Sequence, residues 1–177
     1  TRITTEERTN ADTTKETKIA KTMKRNILLI ITSLILVGCH TDVVYTEFHS
    51  MPKEGWEMNN VLTYKPEITD TTQSYNLQVV LRHDETYSYQ NIWMFVDIEK
   101  GEQHLLRDTI ECMLANDRGE WIGNGMSVKE LPMMYRENYR FTEAGEYTIK
   151  VQQGMRDTTL VGVKEVGVKI EMNEGEE

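Results

Sequence analysis

The feature that most constrains this chain is a stretch near its middle in which apolar and polar residues alternate. Between residues 75 and 82 the apolar members of this alternation are Tyr75, Leu77, Val79 and Leu81. Successive side chains of a β-strand point to opposite faces, so a period of two predicts a strand with one buried face. Residues 92–98 carry apolar bulk on both faces and predict a central strand that pairs with it.

Further strands are predicted at short intervals along the chain, at residues 43–48, 60–64, 104–113, 120–123, 147–151 and 160–172. Turns rich in Asn, Asp and Gly separate several of them, because these residues tolerate positive φ. Residues 127–137 contain Pro132 and are predicted as a short irregular or strand segment. Gly162 and Gly167 are predicted as bulges or sites of close approach. About eight strands without a long helix predict an all-β fold, an antiparallel β-sandwich of jelly-roll or immunoglobulin-like type.

Ahead of these strands lies a signal for export. Lys24 and Arg25 precede an apolar run over residues 27–37, and Gly38 and Cys39 follow it. A run of about 11 residues is too short to span a bilayer, which needs about 20, but basic, apolar and small residues in this order are typical of a secretory signal peptide. A short buried helix with a chance cysteine would not explain the two basic residues before the run.

The end of that run, Leu-Val-Gly-Cys at residues 36–39, resembles the lipobox of bacterial lipoproteins. The resemblance implies cleavage after Gly38 and acylation of Cys39, which becomes the new N-terminus. Each buried methylene of an acyl chain contributes about 0.8 kcal/mol, so two or three chains would hold the protein stably on a membrane. The mature protein is therefore expected to begin at Cys39 and to work at a membrane surface.

The chain divides into five predicted segments. Residues 1–22 are polar and are interpreted as an upstream extension before a start at Met23, with a regulatory tail as the alternative. The segments that follow are the signal peptide at 23–38, the acylated cysteine and tether at 39–42, the β-sandwich at 43–172 and an acidic tail at 173–177.

Charge limits the partners of the mature chain. Residues 39–177 keep 13 of the 20 basic and 25 of the 29 acidic side chains, a net charge near −12. That balance argues against nucleic acid and against adsorption to anionic lipid head groups. Cys112 is the other cysteine, so acylation of Cys39 would leave no internal disulfide. Cys112 lies in an alternating segment and is predicted as a small buried apolar residue.

A search for reactive groups indicates no enzyme. The sequence lacks a nucleophile elbow, a phosphate-binding Gly-rich loop, a His-Glu-x-x-His motif and paired Cys-x-x-Cys. Residues 83–85, His-Asp-Glu, could supply a base or a metal ligand, but a solvated hairpin loop is the favoured interpretation. Asn116–Asp117 and Asp70 could bind calcium, yet turn formation explains them as well. We therefore expect no catalytic residue, no metal site and no cofactor.

Aromatic residues give the clearest candidate surface. Tyr87, Tyr89 and Asn91 lie in the connection between the two central strands, and loops on rigid frames are where recognition usually occurs. Tyrosine can bury its ring while its hydroxyl stays hydrogen-bonded. These three residues are predicted to contact a partner, whereas Trp93 and Trp121 lie in strand patterns and are predicted in the core.

Several stretches together resemble the gliding-motility lipoprotein family GldH of Bacteroidota. The first is Tyr-Ser-Tyr-Gln-Asn-Ile-Trp-Met-Phe at residues 87–95, and the others lie at residues 108–111, 119–125, 155–157 and 160–171. The resemblance covers residues 23 to about 171. It implies an envelope lipoprotein associated with gliding motility and, through other motility lipoproteins, with type IX secretion. It implies no catalytic residue.

The expected function is therefore that of a non-enzymatic accessory protein, with the membrane, through Cys39, and envelope proteins as partners. No acidic residue directly follows Cys39, so attachment is expected at the periplasmic leaflet of the outer membrane. The alternative is a glycan-binding β-sandwich module of the cell envelope. A concave face lined by aromatics and amides would favour sugar, and a flatter patch would favour protein.

Overall fold

A computed structural model describes residues 42–173, and its regular structure there is entirely β-strand. The strands are β1 (Val43–Ser50), β2 (Trp56–Glu57), β3 (Leu62–Tyr64), β4 (Glu67–Ile68), β5 (Tyr75–Asp84), β6 (Asn91–Lys100), β7 (Gln103–Met113), β8 (Val128–Tyr139), β9 (Gly145–Glu146), β10 (Thr148–Gln153), β11 (Thr159–Leu160) and β12 (Val163–Met172). Within these residues no helix is long and apolar enough to cross a membrane. The predicted all-β class is confirmed. The predicted upstream extension, the predicted signal peptide with Gly38, the predicted acylation site Cys39 and residues 174–177 lie outside the described residues.

Two four-stranded antiparallel sheets form the sandwich. Sheet I has the order β1-β12-β5-β8, and sheet II has the order β3-β10-β6-β7. Among these eight strands, sheet I takes the first, eighth, third and sixth in the chain, and sheet II takes the second, seventh, fourth and fifth. This interleaving of two Greek keys is the winding of a jelly roll. An immunoglobulin-like fold would group its strands differently, so the structure decides between the two predicted sandwich types.

The core lies between the two sheets. On β5 the alternating residues predicted to face inward are buried, and on β6 the buried positions are Ile92, Met94, Val96 and Ile98. All of them belong to one continuous apolar cluster. Burying an aliphatic side chain of this size contributes about 1.5–3 kcal/mol. The period-two pattern was therefore a reliable guide to the core.

One end of the sandwich is sealed by aromatic rings and is called the closed end. Phe141 contacts Tyr75, Tyr139 and Tyr147 at ring-centroid distances of 5.4, 4.9 and 4.6 Å. The hydroxyl of Tyr147 donates to the carbonyl oxygen of Glu143 at 2.8 Å. The rings therefore pack against one another, and the Tyr147 hydroxyl has a hydrogen-bond partner within the protein.

The chain enters the sandwich at the closed end. Val43 pairs with Glu171, and the next residue of β12, Met172, pairs with Tyr75. The opposite end carries the connection between β5 and β6 and the turns around residues 114–127 and 154–162, and it is called the loop end.

The structure corrects one predicted strand and shows that the segment predicted as irregular or strand is a strand. Residues 120–123 do not form a strand, since only an isolated bridge joins Trp121 to Ala115. Residues 128–139 form the long strand β8, which tolerates Pro132 because it lies at the edge of sheet I.

The predicted strand at residues 160–172 is interrupted by a turn ahead of β12. Gly162 has a φ of +91°, and a Cβ added there would lie 2.7 Å from the Cα of Tyr87. A Cβ at Gly167 would lie 2.6 Å from the ring of Phe48. Both glycines therefore mark the close approaches that were predicted.

Candidate functional site

The connection between β5 and β6 is held at its start by Asp84. The backbone N–H of Thr86 donates to Asp84 Oδ1 at 3.0 Å, and Lys164 Nζ lies 2.8 Å from Asp84 Oδ2. Burial opposes ionisation, but the hydrogen bonds from Lys164 and Thr86 outweigh it and lower the pKa of Asp84 to about 2. The carboxylate therefore stays charged and fixes the first turn of the loop.

Tyr87 lies in the core rather than on the surface. Its side chain is 3% exposed, and its hydroxyl donates to the carbonyl oxygen of Asn91 at 2.9 Å. Burial raises its pKa. The loop folds back onto Gly162, whose missing side chain leaves room for the backbone of Tyr87. The prediction of an outward contact residue is therefore wrong for Tyr87, because the ring completes the core.

His83 also departs from its predicted place in a solvated loop, since β5 continues to Asp84 and buries the imidazole completely. The ring packs edge-on against Trp121 at 4.7 Å, and Nδ1 lies 3.2 Å from the carbonyl oxygen of Asp84. Nε2 has no hydrogen-bond partner among the described residues. Burial lowers the pKa of His83. Among residues 42–173 no group of three or more His, Cys, Asp or Glu side chains could hold a metal ion.

A groove at the loop end brings two of the predicted contact residues, Tyr89 and Asn91, together with Trp93. Tyr89 is 36% exposed and Trp93 is 39% exposed. They line a cavity of about 360 Å³, here called the aromatic groove, together with Asn91, Gly154, Met155, Arg156 and Asp157. Its aromatic, amide and charged side chains are of the kinds that bind ligands or partners.

Polar contacts fix the two predicted residues that line the groove. The Tyr89 hydroxyl donates to Asp157 Oδ2 at 2.5 Å, and this bond raises the pKa of Tyr89. The Tyr89 ring also packs edge-on against the buried Tyr87 at 5.9 Å. Asn91 donates through Nδ2 to Glu111 Oε1 at 2.5 Å. The side chains are therefore positioned before any ligand arrives.

Trp93 projects from the outer face of sheet II. Its chain neighbours Ile92 and Met94 point inward and are fully buried, so the alternation of β6 turns Trp93 outward. Its prediction as a core residue is therefore wrong. Its carbonyl oxygen accepts from the backbone N–H of Gly154 at 2.7 Å, and its own N–H contacts Met155 Sδ at 3.3 Å.

The turn that supplies the remaining groove residues is organised by Gln153, which is 1% exposed. Its side chain donates to the carbonyl oxygen of Asp157 at 2.9 Å and accepts from the backbone N–H of Met155 at 2.9 Å. Gly154 lets this turn lie close to sheet II, since a Cβ there would lie 3.2 Å from the Phe95 ring.

Sequence reasoning missed the groove residues of this turn as site residues, although a signal was present. Residues 87–95 and 155–157 were two of the stretches that carry the family resemblance. Pairing of β6 with β10 brings them together.

Comparisons with solved structures give only distant likenesses. Latent PorU from Porphyromonas gingivalis aligns with 77% of this chain at 13% identity and a TM-score of 0.30, and this chain covers 14% of that protein. The infectious bursal disease virus protein VP2 aligns with 76% of the chain at 12% identity and a TM-score of 0.34. Neither supports an argument about function.

Closer relatives exist among curated proteins. A gliding motility lipoprotein GldH homolog from Christiangramia forsetii is 29% identical over 155 residues, which cover 83% of this chain and 94% of the relative. The gliding motility lipoprotein GldH of Flavobacterium johnsoniae is 29% identical over 160 residues, which cover 86% and 99%. The sequence profile of the GldH lipoprotein family matches residues 43–170, which are nearly the whole sandwich. This chain belongs to the GldH lipoprotein family.

Proposed function

We propose that this chain is a lipid-anchored accessory protein of the cell envelope that takes part in gliding motility and type IX secretion without catalysing a reaction. Family membership and the names of its two relatives support the link to motility. The proposed link to type IX secretion rests on the expected association of this family with other motility lipoproteins.

The observation that carries the proposal is that the chain enters the sandwich at one end and the aromatic groove lies at the opposite end. The predicted acylation site, Cys39, precedes Val43 by only four residues in the sequence. Val43 enters at the closed end, where Lys100 lies 5.1 Å from the centre of the Tyr147 ring. Lys100 and Asn91 are the two ends of the ten-residue strand β6, so the groove lies about 30 Å from the closed end. The lipid would therefore hold the closed end near the membrane and present the groove away from it.

The groove suits binding better than catalysis. Tyr89 donates to Asp157 and Asn91 to Glu111, so one oxygen of each carboxylate holds a wall of the groove. The remaining side-chain oxygens can accept hydrogen bonds from a bound ligand. We retain Tyr89 and Asn91 as proposed contact residues and add Trp93. Tyr87 is excluded because it is buried.

The anchor is tested by replacing Cys39. A Cys39→Ala variant should remain uncleaved after Gly38 and should not incorporate a fatty-acid probe, because the acylated thiol is missing. Retained labelling would contradict the lipid anchor.

The proposed leaflet is the periplasmic face of the outer membrane. The wild-type protein should co-fractionate with outer-membrane markers and resist protease added to intact cells. Recovery with inner-membrane markers, or digestion on intact cells, would contradict that placement.

The role in the envelope is tested by photo-crosslinking from both ends. A crosslinker at Ser88, which is exposed at the loop end, should capture motility or secretion components. The matched crosslinker at Glu102, in the turn that follows Lys100, should capture far less. Deleting the gene should reduce spreading on agar and release of type IX substrates. Normal spreading and normal secretion in the deletion strain would refute the proposal.

One observation favours a second candidate function, a glycan-binding module. The groove is concave and combines two partly exposed aromatic rings with an amide. A concave surface with aromatic and amide side chains favours a sugar over a protein as the ligand.

A further inference from the structure

We propose that the aromatic groove is a saccharide site in which a pyranose ring stacks on the indole of Trp93. This inference rests on the second candidate function and names its ligand class. It does not depend on a role in secretion, so the two can fail separately.

Trp93 supplies apolar surface that the fold itself does not use. The core contribution of this part of β6 comes from Ile92 and Met94, which are fully buried, while Trp93 remains 39% exposed. The C–H face of a pyranose is apolar, and its hydrogens carry partial positive charge that is attracted to the negative face of an aromatic ring. Stacking would remove both surfaces from water.

Unused hydrogen-bonding capacity surrounds this ring. Within residues 42–173, Asn91 engages Nδ2 with Glu111 and keeps Oδ1 as an acceptor. Asp157 engages Oδ2 with Tyr89 and, among the same residues, keeps Oδ1. Arg156 is exposed beside them and adds guanidinium donors. Sugar hydroxyls both donate and accept, so they match a rim that offers both roles.

The site is organised in advance of binding. The hydrogen bond to Asp157 and the Tyr87 ring hold Tyr89, and the buried side chain of Gln153 holds the turn that carries Met155. A preorganised site loses little conformational entropy when it binds, which raises affinity for a small ligand.

Size and charge narrow the ligand further. A volume of about 360 Å³ lies near the lower end of the roughly 300–1,000 Å³ typical of ligand sites, which suits one or two sugar rings. The net charge near −12 of residues 39–177 repels polyanions. We therefore assign neutral pyranosides, including N-acetylated amino sugars, as the ligand class. Two envelope sources offer this chemistry, the glycan strands of peptidoglycan and the polysaccharide of the outer membrane.

The test uses the mature lipoprotein purified with its lipid in a polyoxyethylene detergent, because detergents with sugar head groups would compete. One arm measures co-sedimentation with peptidoglycan sacculi that have been stripped of protein. The other arm measures retention on immobilised polysaccharide from the outer membrane of the same cells. Binding in one arm identifies the source and supports the proposal.

Variants connect binding to the groove. Trp93→Ala should weaken binding about tenfold or more, as expected for a central aromatic contact, and Arg156→Ala should weaken it several-fold. The matched control is Met134→Ala, which removes a 47% exposed apolar side chain from β8 of the other sheet and should bind like wild type. Thermal melting of each variant establishes that it is folded, and Arg156 lies in a turn outside the core.

Three results would overturn the saccharide site. The first is failure of the wild-type protein to bind either material, and the second is wild-type binding by folded Trp93→Ala and Arg156→Ala variants. The third is loss of an envelope protein crosslink in Trp93→Ala without any saccharide binding, which would assign the groove to a protein. Normal secretion in a deletion strain would refute only the secretion role.

Discussion

The two ends of the sandwich use similar aromatic residues for different purposes. At the closed end Phe141 is surrounded by three tyrosine rings and is 2% exposed. At the loop end the buried Tyr87 contacts His83 and Tyr89, but Tyr89 remains 36% exposed. The closed end therefore finishes in packed rings, and the loop end finishes in rings that meet solvent.

The comparison shows that aromatic content alone does not identify a site. The role of each ring depends on what covers it. A ring covered by other rings contributes to stability, whereas a partly exposed ring beside polar side chains retains surface for binding. The loop end also contains a destabilising buried group, since Nε2 of His83 is buried without a hydrogen-bond partner among the described residues. Changes at the closed end should therefore affect folding, and changes at the groove should affect binding.

The sharpest test of this comparison removes the central ring of the closed end. Phe141→Ala should lower the free energy of unfolding by about 3–5 kcal/mol, because it leaves a cavity among packed rings. Trp93→Ala is the matched change at the groove and should cost less than about 1 kcal/mol. Urea unfolding of both variants measures the difference, and equal losses would show that Trp93 is as structural as Phe141.

A second change tests whether backbone packing at the loop end is needed to bury Tyr87. Gly162→Ala should cost about 2–4 kcal/mol, since φ is +91° and the new Cβ would lie 2.7 Å from the Tyr87 Cα. The control is Gly101→Ala, where φ is +59° and, apart from its chain neighbours, no described residue has an atom within 4 Å of the new Cβ. Only the backbone cost of about 1–2 kcal/mol applies there. Similar melting temperatures for the two variants would contradict the close approach.

The buried imidazole makes the loop end sensitive to pH. Burial of His83, with Asp84 raising and Lys129 lowering its proton affinity to a smaller extent, keeps its folded pKa below 6.5. As pH falls below 6.5 the unfolded chain takes up a proton that the folded chain does not, so stability decreases toward the folded pKa. Melting temperatures between pH 7.5 and 5.5 measure this loss.

A variant assigns the pH effect to this side chain. His83→Phe should flatten the loss of stability between pH 7.5 and 5.5, because it keeps a ring against Trp121 and removes the titrating group. An unchanged slope in His83→Phe would place the effect elsewhere.

The smallest expected effect on folding comes from the groove itself. Tyr89→Phe keeps the ring that packs on Tyr87 and removes only the exposed bond to Asp157. Its melting temperature should match that of wild type, whereas binding at the groove should weaken, because Asp157 is then free to move. A clear loss of thermal stability would show that Tyr89, like Phe141, stabilises the fold.

Much of the fold could be predicted because the required signal is local. The alternation in β5 identified its buried face, and Cys112 is buried as predicted. The predicted strand boundaries were wrong where pairing with a distant segment of the chain determines them. Trp121 forms a single bridge rather than a strand, and β8 is extended through Pro132 because it pairs with β5 on one side and lies at the sheet edge.

The sequence by itself determined the antiparallel β architecture and the family, since each depends on residues close together in the chain, and it predicts an export signal that ends before Cys39. Only the tertiary structure decided that Tyr87 is buried while Tyr89 is exposed, because Gly162, far along the chain, shapes the loop around Tyr87. It also brought Trp93 beside residues 154–157 through pairing of β6 with β10. A period of two states which face a strand residue takes, but not which distant segment covers that face.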